Sequence, residues 1–165
     1  GLDRDKSSVK NKNNLKVKFC DLSKDSFPFE NNSFDIVYHK SVIEHLYDPK
    51  NFMKETFRIL KPGGTLRFIV PDGELYLDLY NRKTNGENVS MPYEEGYMSP
   101  MHRINGIFRN HGHLFIYDFQ TVSLVLKEAG FRDIKKEKYN CGRDAKLLKD
   151  TEWRSIESLY VEASK

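Results

Sequence analysis

The chain has 165 residues, 38% hydrophobic and 31% charged, which suits one domain with a real core. With 27 basic against 24 acidic side chains the net charge is +3, too balanced to argue for nucleic acid. No apolar run approaches the ~20 residues of a membrane helix, and the expected setting is cytoplasmic: no secretory apolar core is evident, and Cys20 and Cys141 stand alone without metal-like spacing.

Residues 1–14 are polar and read as a flexible tail or an expression remnant; residues 15–165 read as a single domain. The segment 15–20 (LKVKFC) alternates apolar and polar and predicts a strand. Turns follow around Pro28 and at 31–33, then a short, mostly apolar strand over 34–38. A brief helical stretch at 42–46 precedes a better-marked helix. Asp48 is placed to cap it and Pro49 to open it. Phe52, Met53, Thr56, Phe57 and Leu60 then form one apolar face, and Pro62-Gly63-Gly64 turns the chain into a strand over 65–70. Strand, helix and strand make a crossover, the unit of parallel sheets.

Downstream, 74–82 has a weak helical period, and 84–101 is a long loop carrying Met91, Tyr93, Tyr97, Met98 and Met101. A loop of that length is either a binding loop or a surface excursion packing its own aromatics. A short helix is expected over 102–108. Asp118 caps a further helix that ends at Ala129, with Gly130 in the left-handed position beyond it. Strands at 134–139 and 159–163 close the chain, with a helical turn somewhere in 143–153.

Parallel sheets bind ligands outside the carboxyl ends of their strands. Three such ends carry polar side chains: Asp21, then His39 with Ser41, then Asp72. The strands finishing at 20, 38 and 70 are therefore expected to run side by side and open onto one pocket.

Read in order, Asp21-Leu22, Phe27-Pro28-Phe29, Ser33-Phe34-Asp35, Glu44-His45-Leu46, Asp48-Pro49, Arg58-x-Leu60-Lys61-Pro62-Gly63-Gly64 and Glu128-Ala129-Gly130-Phe131 resemble the second half of a class I S-adenosylmethionine (SAM)-dependent methyltransferase of the type 11 kind. The run from His102 through His113, with Ile116–Phe119 and the ending 158–163, resembles a branch of predicted methyltransferases associated with surface-glycan genes. The resemblance implies an α/β, Rossmann-like sheet, mostly parallel with an antiparallel C-terminal strand and helices on both faces. It implies SAM as cofactor and a small-molecule or glycan oxygen or nitrogen as methyl acceptor. Asp21 would meet the adenine amino group and Leu22 pack on the ring; His39, Lys40 and Ser41 would line the sulfonium end.

The resemblance is N-terminally incomplete. The family's first two strands have no evident counterpart, and the only glycine before Gly63 is Gly1, so the glycine turn that admits the methionine end of SAM is missing. The strand at 34–38 is then expected to expose an edge, unless a preceding N-terminal portion of the natural protein supplies the missing strands, the strand at 15–20 shifts onto it, or another chain covers it. A non-catalytic, methyltransferase-like interaction module is the alternative function.

Five histidines are present, and three fall within 102–113. His111 or His113 is the expected base, since imidazole titrates near neutrality. His102, Arg103, Arg109 and Tyr117 are expected to bind substrate, the arginines through forked hydrogen bonds to an anionic group. A metal on His111-x-His113 is disfavoured for want of a third ligand, so no metal is expected. Glu44-His45 is expected to be a packing and hydrogen-bond pair. Asp21 is also a plausible turn cap.

Overall fold

The computed structural model describes residues 2–3 and 18–165. Two sheets are present among them. In the smaller, β1 (Leu2–Asp3) pairs in parallel with β2 (Lys18–Phe19). The larger is built from β3 (Phe34–Lys40), β4 (Leu60–Pro71), β5 (Arg132–Glu137) and β6 (Ser158–Ser164), in the order β3-β4-β6-β5. β3 and β4 run parallel; β6 is antiparallel to both β4 and β5.

Two expectations are corrected here. The strand predicted at 15–20 survives at Lys18–Phe19 but lies in a separate sheet from β3, so the three strand ends do not share one sheet; residues 15–17 lie outside the described residues. Part of the predicted tail, Leu2–Asp3, is a strand, too short for periodicity to reveal; the tail's other residues also lie outside those described. Among the described residues, the outer edge of β3 has no strand partner.

The crossover forms as predicted. Helix α1 (Pro49–Ile59) is capped by the Asp48 carboxylate, which accepts from the Lys50 and Asn51 amides, and Pro49 stands at its start. Its buried face, Phe52, Met53, Thr56 and Ile59, lies on the sheet core beside α4 (Phe119–Ala129). Asp118 caps α4 through the Thr121 amide at 2.7 Å, and Gly130 ends it at φ +104°. Beneath these helices pack Leu66, Phe68, Val70, Leu159, Val161 and Ala163, each large side chain contributing roughly 1.5–3 kcal/mol by burial. Pro62-Gly63-Gly64 is a bulge within β4 rather than a stop before it: the β3 register jumps from Leu60 to Thr65. A Cβ on Gly64 would meet the Lys61 and Asp35 carbonyls at 2.9 and 3.0 Å.

The opposite sheet face buries charge. Arg67 of β4 meets Asp150 at 2.5 Å and Glu162 of β6 at 2.9 Å, all three side chains fully inaccessible. The guanidinium also donates to the Cys141 carbonyl, so the segment 138–157, with short 3-10 turns at Ala145–Leu147 and Glu152–Arg154, is held over this face. After β4, helices α2 (Gly73–Thr84) and α3 (Pro100–Arg109) pack together around Tyr76, Met91, Ile104 and Ile107.

Candidate functional site

The carboxyl ends of β3 and β4 open onto a rim of loops. Beyond β3, Ser41 turns the chain at φ +51° while its amide donates to the Ile69 carbonyl. A 3-10 turn, Ile43–His45, follows. Residues 110–117 lie against it: the amides of Leu114 and Phe115 donate to the Glu44 carbonyl at 2.8 and 3.3 Å, and Gly73 of α2 donates to the Tyr117 carbonyl. Two stretches remote in sequence are thereby fixed together.

Where they meet, Glu44 is completely buried and, among the described residues, neither carboxylate oxygen makes a well-formed hydrogen bond; the Ser41 hydroxyl and the Val42 and Glu44 amides approach it without closing one. Burial pushes its carboxyl up to about 7, only partly offset by its own amide, Arg154, Ser41 and the Val42 amide. The expected hydrogen-bonded pair is therefore not made, because His45 Nε2 stays 3.9 Å away. The Nδ1 atom of His45 lies 3.2 Å from the Gly112 carbonyl, and that of His113 lies 2.6 Å from the Ile107 carbonyl. The two rings are 4.9 Å apart. One donor atom each from Glu44, His45 and His113 fall within 4.8 Å of one another.

Beside this cluster is a 200 Å³ cavity walled by Arg103, Asn110, His111, His113, Arg154 and Glu157, among others. His111 is exposed at φ +62°, a left-handed backbone uncommon outside glycine. His113 is half-buried, and burial lowers its pKa. Arg103 lies in the cavity wall, but its Nε is spent on the Pro92 carbonyl at 2.6 Å and its Nη2 on the Tyr76 hydroxyl at 2.6 Å. Tyr76 in turn donates to Glu157 at 2.8 Å. This Arg103–Tyr76–Glu157 chain ties the loop 85–99 to the helices.

The remaining predicted residues divide between wall and scaffold. Leu22, His39 and Lys40 come together along the open edge of β3, in a 460 Å³ groove completed by Phe27, Phe29 and Val37. His39 is the unusual member: its ring stacks on Phe68 and meets Phe52 edge-on, and both buried nitrogens lack partners among the described residues. Burial pushes it down to about 3. Lys40 donates to Thr151. The Asp21 carboxylate accepts from the Ser23 amide, so it serves its own turn. Asp72 caps α2 and pairs with Lys136 at 3.0 Å. His102 accepts from the Met98 amide at the start of α3, Arg109 is exposed at its end, and Tyr117 is buried with its hydroxyl on the Ile43 carbonyl. None of those three lines the 200 Å³ cavity. Sequence reasoning missed Glu157, Arg154 and the isolation of Glu44; only Glu44 carried a signal, as half of Glu44-His45.

For SAM, the groove offers an apolar wall at Leu22 and a strand-end floor at His39 and Lys40. The resemblance assigns Leu22 to the adenine ring and His39 and Lys40 to the sulfonium end, and the groove brings these three residues together. No glycine stands between Gly1 and Gly63 to admit the methionine side.

Comparison with known proteins agrees with this architecture. Residues 1–68 match a family model described as a methyltransferase domain. A 45-residue segment is 42% identical to a probable S-adenosylmethionine-dependent methyltransferase of Mycolicibacterium smegmatis, covering 27% of this chain and 18% of that protein. The chain therefore spans less than a fifth of that curated relative. Among solved structures, the YcgJ protein of Bacillus subtilis aligns with a TM-score of 0.63 at 14% identity, over 100% of this chain and 81% of its own. A SAM-dependent methyltransferase from Archaeoglobus fulgidus aligns at 0.59 and 15%, over 100% and 75%. The fold is the Rossmann-like fold of class I SAM-dependent methyltransferases, and SAM is the cofactor of that family. No helix among the described residues is long and apolar enough to cross a membrane.

Proposed function

We propose that this chain forms the acceptor side of a SAM-dependent methyltransferase, acting on an oxygen or nitrogen of a small molecule or glycan in a reducing, cytoplasmic setting. The observation that carries this is the rim itself: β4, the parallel neighbour of β3, ends at Pro71 in the wall of a cavity lined by two histidines and Asn110. SAM, when bound, supplies the methyl group. The chain's own task is to hold the nucleophile in line and take its proton. His111 is the better placed base, because it is exposed to the cavity whereas His113 is half-buried and committed to the Ile107 carbonyl. Asn110 and Arg154 would orient the acceptor, with Arg109 and His102 at the outer approach.

Binding tests this most directly. Saturating SAM or its demethylated product should raise the melting temperature, with about 2.7 kcal/mol of stabilisation at a hundred times Kd. With an acceptor in hand, His111→Ala should lower turnover at least ~100-fold, the low end for a proton-transfer group; unchanged turnover removes His111 from the reaction. A second reading rests on the open β3 edge and its apolar groove, which suit a non-catalytic module or a second copy of the chain. The absence of any thermal shift at millimolar SAM, together with dimerisation blocked by a charge at Val37, would favour it.

A further inference from the structure

We propose that Glu44, His45 and His113 bind one first-row divalent cation of the zinc class, through a carboxylate oxygen and the two Nε2 atoms. Three independent features converge on it. The first is the buried carboxylate: both Glu44 oxygens are sealed from solvent and, among the described residues, make no well-formed hydrogen bond, the Ser41 hydroxyl and the Val42 and Glu44 amides approaching without closing one, so a cation could take their lone pairs. The nearest cationic neighbours do not supply one. His45 Nε2 stays 3.9 Å away, and Arg154 is engaged with Glu157 at 3.1 Å.

The second feature is the tautomer. A backbone carbonyl can only accept, so the contacts of His45 with Gly112 and of His113 with Ile107 place a proton on Nδ1 of each ring, and in the neutral form of an imidazole that proton is the only one. Each Nε2 is left as a lone pair. Metal-ligating histidines have this arrangement, the second nitrogen donating to a carbonyl that fixes ring orientation.

The third is convergence. One carboxylate oxygen of Glu44 and one ring nitrogen from each of His45 and His113 lie within 4.8 Å of one another although His113 is 68 positions from His45, the two stretches pinned together by the backbone bonds to the Glu44 carbonyl. Donors around one zinc at 2.0–2.2 Å sit about 3.4 Å apart, so side-chain rotations closing roughly 1.5 Å complete the set. Two imidazoles and one carboxylate suit zinc, cobalt, iron or manganese; they do not suit calcium or magnesium, which take oxygen alone, or soft copper(I). A three-ligand site keeps a position open for water or a ligand oxygen. His113 belongs both to the cluster and to the 200 Å³ cavity wall, which puts the cation at the edge of that cavity. The third ligand that His111-x-His113 lacks in sequence thus arrives from the turn after β3, and His111 itself stays outside the set.

The test uses the full chain after chelator treatment, with Cys141→Ser to remove the exposed thiol. Zn²⁺ should titrate calorimetrically to one equivalent and raise the melting temperature with the logarithm of its concentration. Co²⁺ should give the visible ligand-field bands of a nitrogen–oxygen site. Glu44→Gln and His113→Ala should each weaken Zn²⁺ at least ~100-fold, beyond the loss typical of an outer-sphere change. Circular dichroism verifies that both variants are folded; should either fail to fold, His45→Gln stands in for it. The proposal is overturned by a wild type that binds no stoichiometric Zn²⁺, or by folded variants that keep wild-type affinity. No readout involves SAM or methyl transfer, so failure here leaves the proposed function standing, and the converse holds.

Discussion

His39→Phe offers a sharp test of how the β3 edge is built. The imidazole is packed like a hydrophobic ring, stacked on Phe68 at 4.9 Å and edge-on to Phe52 at 5.1 Å, with two nitrogens that meet no partner among the described residues. A phenyl ring keeps the stacking and removes both orphaned polar atoms, and the adjoining groove has room for one extra ring atom. Each unsatisfied buried group costs roughly 1–3 kcal/mol, so the variant should be more stable by about 1–2 kcal/mol at pH 7 after some repacking strain. The pH dependence is the stricter part. The folded-state pKa of about 3 lies below the usual 6.5, so the unfolded chain takes up the proton first. The wild type therefore has His39's full contribution above about pH 6.5 and loses it as pH falls toward 3. Between pH 7 and pH 5 the stability gap between variant and wild type should widen by about 2 kcal/mol. Urea denaturation followed by circular dichroism at the two pH values measures it, and groups common to both proteins cancel in the difference. A gap that stays constant, or a variant destabilised by more than ~1 kcal/mol at pH 7, would refute the buried, neutral, unpartnered imidazole.

Two further outcomes follow from the buried contacts. Arg67→Met leaves Asp150 and Glu162 facing each other without their cation, and should cost about 3–5 kcal/mol in chemical denaturation; a loss below ~1 kcal/mol would mean the two carboxylates find other partners. Asp118→Ala removes the carboxylate that holds the Thr121 amide and should cost about 1 kcal/mol, whereas Asp118→Asn should restore most of it; equal losses in both would assign the effect to charge rather than capping.

Local rules carried the helices well. Asp48-Pro49 and Asp118 with Gly130 mark their helix ends as observed, because capping and the left-handed terminus are settled within one turn of chain. The same locality misled at Pro62-Gly63-Gly64. A turn signal there is also consistent with a bulge, and only the neighbouring β3 decides that the strand begins at Leu60 and absorbs the glycines. Arg103 illustrates the harder failure. A basic residue in a histidine-rich loop suggests a substrate contact, yet its burial between Tyr76 and Tyr97 commits its donors to the scaffold.

Composition, caps and hydrophobic spacing were enough to settle the crossover and the parallel pairing of β3 with β4, since each depends on interactions between near neighbours or on a repeat that any buried face requires. The antiparallel sense of the closing strand was expected only from the family resemblance. Tertiary structure alone decided that Lys18–Phe19 leaves the main sheet, that Arg67 is neutralised from two directions, and that Glu44 and His45 meet His113. Those outcomes depend on which distant segments share a volume and on which polar groups are cut off from water there. No property of a single stretch of chain encodes either.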